Sequence, residues 1–137
     1  MKVLILHQHF NIPQEGGPLR SFYLAKALID FGIVPIVITA RSEKTYRQIN
    51  VEGIEVHYLP VAYDNRFGFW KRSISFLHFV LGAIRLAGRL PDLNVCYAIS
   101  VPLTVGLAAK FIKFRRRIPY IFEVGDLWPD APVQLGF

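Results

Sequence analysis

Residues 3–6 form an unbroken apolar run, Val3-Leu4-Ile5-Leu6, bounded by Lys2 and His7. A strand with one face in water alternates apolar and polar residues; a strand covered on both faces need not. This run therefore predicts a strand buried from both sides, as in a parallel sheet held between helices. Residues 34–39, 54–59, 94–99 and 119–124 read as four more strands. Between them the period becomes helical. Within 19–31, Phe22, Ala25, Leu28 and Ile29 recur at helical spacing. Gly32 stands where a C-terminal cap belongs, and Pro18 fits a first turn, where a missing N–H costs nothing. Helices are also predicted over 69–90 and 102–114. Strands alternating with helices predict a doubly wound α/β fold.

The chain has 137 residues, enough for one domain and too few for two. Hydrophobic residues make up 53% and charged residues 19%, a balance that excludes intrinsic disorder. A mean hydropathy of +0.33 predicts apolar surface meant for a partner, another domain or a membrane. The net charge is +6, and five of the positive residues fall within 110–117. That balance suits anionic ligands. Nucleic acid is not expected, because the run reads as the solvated basic end of a helix, where cations interact favourably with the dipole. The lone cysteine, Cys96, sits among apolar residues and reads as a small buried hydrophobe. The start lacks a signal-peptide pattern and no stretch reaches about 18 uninterrupted apolar residues. A cytoplasmic chain beginning at Met1 is expected.

Gly16-Gly17-Pro18 lies between the first strand and the first helix. Such glycines let a backbone approach a ligand, and the helix start offers unpaired N–H groups, so the loop is either an anion site or a plain turn. It is not a dinucleotide fingerprint: G-x-G-x-x-G is missing, and Thr39-Ala40-Arg41 stands where an acidic ribose ligand would be. His7-x-His9 closes the first strand. The pair lacks the further ligands a metal site needs, so no metal is expected. His7 reads as a residue of the core edge, and His9 as lining the crevice where ligands bind in such sheets. Glu123 and Asp126, with Trp128, follow the fifth strand. These carboxylates could orient sugar hydroxyls or act as a base; alternatively they are a cap beside a structural Trp.

Residues 69–90 place Lys71, Ser75, His78, Gly82, Arg85 and Arg89 within about 40° of one line on a helical wheel. Most of the remaining circumference is apolar, and Trp70, Phe76 and Phe79 cannot all be buried against one sheet face. Residues 66–90 hold five Lys/Arg and no acid. This is the pattern of a helix lying on an anionic membrane surface, or of one enclosed by a further protein element.

The opening segment 2–10, the Gly16-Gly17 loop and its helix resemble the amino-terminal domain of the family 4 retaining glycosyltransferases. So do Ser100-Val101-Pro102-Leu103 and the segment Phe122-Glu123…Asp126-Leu127-Trp128-Pro129. The likeness covers essentially the whole chain and is nearest to enzymes of cell-surface polysaccharide synthesis, similar to the fucosaminyl-transferase group. It implies one half of a GT-B architecture, in which two Rossmann-like domains face each other across a cleft without a catalytic metal or other cofactor. The half in hand would bind the acceptor, a lipid-linked or other glycan. A carboxyl-terminal domain, absent from these residues, would hold the nucleotide-sugar donor, so 1–137 alone is expected to be inactive. By resemblance, Gly16 and Gly17 would approach the donor diphosphate or the acceptor, while His9, Glu123 and Asp126 would border the cleft. One departure stands out: Gly125 occupies the place where the family usually carries Arg. The alternative to an enzyme half is a non-catalytic module that docks on a membrane or a partner.

Overall fold

In the computed structural model, which describes residues 1–17, 19–62, 66–100 and 104–124, the chain forms an α/β layer structure. Its strands are β1 (Lys2–Leu6), β2 (Val34–Arg41), β3 (Arg47–Val51), β4 (Ile54–Pro60), β5 (Val95–Ile99) and β6 (Tyr120–Glu123). The helices are α1 (Arg20–Asp30), α2 (Phe69–Ala87) and α3 (Val105–Arg116). One sheet holds all six strands in the order β3-β4-β2-β1-β5-β6. Every pairing is parallel except β3 with β4.

β1 lies inside the sheet, and its side chains are buried on both faces, as the unbroken apolar run requires. Val3 and Ile5 join Phe22, Ala25, Val37, Val56 and Tyr58 under α1. Leu4 and Leu6 join Ile36, Ile38, Phe79, Ala83, Ala108 and Ile112 under α2 and α3. The opposed faces follow from the winding. From β1 the chain crosses by α1 to β2 on one side; from β4 it crosses by α2 to β5 on the other. A right-handed crossover in opposite directions puts the helices on opposite faces. Cys96 is fully buried in the second cluster, and burial pushes its thiol up to about 12.

The predicted cap of α1 is present in full. Gly32 has φ +76°, its N–H donates to the Ile29 carbonyl at 2.9 Å, and Ile33 N–H donates to Leu28 at 2.9 Å. This paired arrangement is the Schellman motif. Pro35 lies within a parallel strand, yet the β2–β4 ladder begins only at Ile36↔Glu55. Pro35 therefore removes no bond from that ladder.

Three expectations need correction. The five strands expected from the sequence include none within 40–53, yet β3 forms a hairpin there with β4 through Glu52 (φ 51°) and Gly53 (φ 90°). The long helix ends at Ala87 rather than at Leu90. Ser75, placed on the polar line of that helix, is buried against the sheet. Pro18 lies outside the described residues.

Candidate functional site

The sheet reverses its winding between β1 and β5, and there the carboxyl ends of neighbouring strands diverge. This switch point is where ligands bind in open α/β sheets. Here His7 follows β1, Ser100 follows β5, and Glu123 ends β6. With Arg20, Ser21 and Leu24 of α1 and Ile99 of β5 they line a crevice of about 130 Å³. That volume suits one polar group of a ligand; a whole drug-sized ligand occupies several hundred Å³.

Two polar pairs furnish the crevice. The His7 ring places Nδ1 2.8 Å from the Ser21 hydroxyl. Burial, with His9 nearby as a lesser cause, lowers the His7 pKa to about 4. At neutral pH the imidazole is thus uncharged and carries one donor and one acceptor nitrogen. Glu123 is held from two sides: the Tyr97 hydroxyl donates to its Oε2 at 2.5 Å, and Arg20 forms an ion pair with Oε1. Ser100 N–H also donates to the Glu123 carbonyl at 3.0 Å, fixing the strand end. The arrangement is a fixed carboxylate and a neutral imidazole beside the first turn of α1. Among the described residues that turn has no side-chain cap at Leu19, which leaves its first N–H groups, with the positive end of the helix dipole, to other partners.

The glycine loop lies just before this turn. Gly16 and Gly17 have φ +75° and +77°, a region side chains rarely adopt. A Cβ on Gly17 would come within 2.9 Å of Asn11 Nδ2, whereas one on Gly16 would meet nothing. Asn11 is itself anchored, donating to the His9 carbonyl at 3.3 Å. Glu15 closes the loop. Its Oε1 accepts from Ile12 N–H at 3.2 Å, and the same carboxylate pairs with Arg41, whose guanidinium lies 4.8 Å from the Tyr58 ring centre. Thr39 is structural. Its hydroxyl donates to the Gln8 carbonyl at 3.0 Å and accepts from Phe10 N–H at 3.2 Å, pinning the turn after β1.

The structure brings Glu123 into the crevice and sets the Gly16-Gly17 loop ahead of its helix. It exchanges the two histidines: His7, expected at the core edge, lines the crevice, while the described lining does not include His9, which is half-buried one turn further on. Burial also lowers the pKa of His9. Asp126 lies outside the described residues, as do Gly125 and Trp128. Sequence reasoning missed Arg20, Ser21 and Tyr97. Ser21 and Tyr97 sit within apolar patterns and read as packing, and only their placement across the sheet ends reveals them. Among the described residues no three His, Cys, Asp or Glu side chains cluster as a metal ligand set.

Two crystal structures of the C-terminal domain of a hydrogenase from Pyrococcus furiosus, residues 78–226 and 83–215, share this fold with a TM-score of 0.60 each. Their identities are 12% and 11%, over 90% and 89% of this chain and 91% and 90% of theirs. At such identities the likeness concerns the fold alone. No relative is found among curated proteins. A family profile described as a glycosyl transferase 4-like domain matches residues 16–136. That span includes the glycine loop, Arg20, Ser21, Tyr97, Ser100 and Glu123, although His7 and His9 precede it. The chain belongs to the glycosyl transferase 4-like family, and it is a GT-B glycosyltransferase domain.

Proposed function

We propose that this domain is the acceptor-side half of a retaining glycosyltransferase that moves a sugar from a nucleotide-sugar donor to a lipid-linked glycan in cell-surface polysaccharide synthesis. The observation that carries the reading is the crevice at the β1/β5 switch point. It gathers a fixed carboxylate, a neutral imidazole and an uncapped helix start in a space that suits part of a ligand. In a two-domain enzyme a second, donor-binding domain would close over the carboxyl ends of these strands, at the cytoplasmic face of the membrane.

Each group then has a task matched to its chemistry. Glu123 accepts hydrogen bonds from acceptor hydroxyls, and Tyr97 and Arg20 keep its two oxygens aimed. His7 contributes a hydrogen bond without adding charge. The first turn of α1 and the glycine loop favour the negative charge that develops on the departing diphosphate. His9 and Asp126 border the same cleft in this reading. The protein thus supplies positioning and electrostatics, which together account for several kcal/mol of barrier in reactions of this kind.

The test is transfer from a panel of nucleotide sugars to a polyprenyl-diphosphate-linked sugar by the full-length protein that carries this domain. We expect activity, a loss of about a hundredfold or more in Glu123→Gln, and a smaller loss in Tyr97→Phe. Residues 1–137 alone should bind acceptor without turnover. Absence of transfer from every nucleotide sugar, or an unimpaired Glu123→Gln enzyme, would overturn the assignment.

A further inference from the structure

The helices α2 and α3 lie side by side over one face of the sheet; they share its core cluster, and Arg116 Nη1 donates to the Ala87 carbonyl at 2.6 Å. Away from that core each carries an exposed apolar stripe. On α2 it is Trp70, Ile74, Leu77 and Leu81; on α3 it is Leu107, Phe111 and Phe114. The spacings i, i+4, i+7 and i+11 keep each set within an arc of about 60°. Trp70 is 77% exposed and Phe114 70%.

The charge around these stripes has one sign. Residues 66–89 contain five Lys/Arg and residues 105–117 another five, and neither segment contains an acid. Among the described residues no carboxylate pairs with Arg85, Arg89, Lys110 or Arg115. Lys71 lies in the first turn of α2, against the positive end of its dipole, where a cation is unfavourable without an external anion. Shallow clefts along the same flank are lined by His78, Leu81 and Arg85, and by Tyr46, Leu86 and Arg89, so that cationic heads sit beside apolar walls.

We propose that the outer face of α2 and α3 docks on an anionic lipid surface, with the apolar stripes inserted at the headgroup boundary and the Lys/Arg flanks on lipid phosphates. Charge selects this occupant. A second copy would oppose ten cations to ten cations with no acid between them. A domain closing over the carboxyl ends of β1, β5 and β6, as proposed above, would leave this lateral face uncovered. Phe69 and Trp70 pack edge to face, their ring centres 5.4 Å apart, at the solvent end of α2. Aromatic rings of this kind anchor at membrane interfaces. No helix among the described residues is long and apolar enough to cross a membrane, so the contact is one of lying on the surface.

The experiment is co-sedimentation of the purified protein with phosphatidylcholine vesicles, with and without one-third phosphatidylglycerol. Binding is expected only with the anionic lipid, falling as salt is raised. Arg85→Gln with Lys110→Gln removes two cations and should weaken partition about thirtyfold. Trp70→Ser with Leu77→Ser should weaken it comparably through lost insertion. All four positions are exposed, so unchanged circular dichroism is expected. A blue shift of tryptophan emission should appear with anionic vesicles and vanish in Trp70→Phe. Recovery of the wild type in the supernatant with both vesicles would overturn the proposal. So would equal binding to neutral vesicles, or a concentration-dependent dimer that Leu77→Ser dissolves without any lipid binding. None of these readouts requires sugar transfer, so the outcome is independent of the assigned activity.

Discussion

Acidification from neutral pH should destabilise this fold through His7. Burial, with His9 nearby, holds His7 at about 4, below the ordinary 6.5 of the unfolded chain. The unfolded state therefore takes up the proton first. The stabilisation is fully present above about pH 6.5 and is lost as pH falls toward 4. Its full size is about 3 kcal/mol, of which about 2 kcal/mol should be gone between pH 7.5 and 5. Urea unfolding at intervals across that range measures the loss. His7→Asn keeps a polar group near the Ser21 hydroxyl but cannot titrate, so its stability should decline about 2 kcal/mol less over the same interval. His9, also lowered by burial, adds a loss of the same sign. The comparison between wild type and variant decides the matter, not the slope of either alone. Parallel stability curves, or His7 ring protons titrating near the ordinary value by NMR, would refute the reasoning.

Three further outcomes follow from packing. Gly17→Ala should cost more than Gly16→Ala: both incur about 1–2 kcal/mol for a side chain at positive φ, but only the first collides with Asn11. Equal urea midpoints would contradict this. Phe79→Ala should cost about 3–5 kcal/mol, while Leu77→Ala, two residues earlier and exposed, should stay within about 0.5 kcal/mol; similar losses would mean that α2 packs by another face. The Cys96 thiol should resist a disulfide reagent in the native state and react on unfolding, so rapid native labelling would show that the α2/α3 layer opens readily.

What could be read from the sequence was what depends on local pattern. The run at 3–6 announces a strand with two covered faces, and Gly32 announces the cap of α1, because both are decided within a few residues. β3 escaped for a physical reason. It is an edge strand with mostly exposed side chains, and its turn is Glu52-Gly53 in place of the Asn-Gly pair that marks a two-residue hairpin. Asn50 stands two positions too early, its Oδ1 accepting from Gly53 N–H at 3.0 Å. The crevice escaped in part because it is assembled across the sheet. Tyr97 and Glu123 are 26 residues apart, and His7 and Ser21 are 14 apart. That His7 lines this crevice depends on its contact with Ser21 of α1, which no local pattern in the sequence displays.

The wheel over 69–90 read the charge of α2 correctly and its orientation only in part. Phe79 is buried, Phe76 half-buried and Trp70 exposed, so the expectation that these rings could not all be covered agrees with the structure. Ser75 departs from it. The inner face of α2 is built largely from small residues, Ser75, Ala83 and Ala87, beside Phe79 and Val80. A Cβ on Gly82 would lie 3.0 Å from Leu59, so the helix sits very close to β4. This close seating draws Ser75 inward, where its hydroxyl is buried with no hydrogen-bond partner among the described residues, at a cost of about 1–3 kcal/mol. The larger apolar side chains, Trp70, Ile74, Leu77 and Leu81, are left outside. A helix that served the core alone would gain by the reverse assignment, since burying a Leu contributes about 1.5–3 kcal/mol and exposing it contributes nothing. Small residues inside and large apolar ones outside, all flanked by cations, describe a helix that packs on its own sheet with one face and presents the other as the surface on which the proposed lipid docking rests.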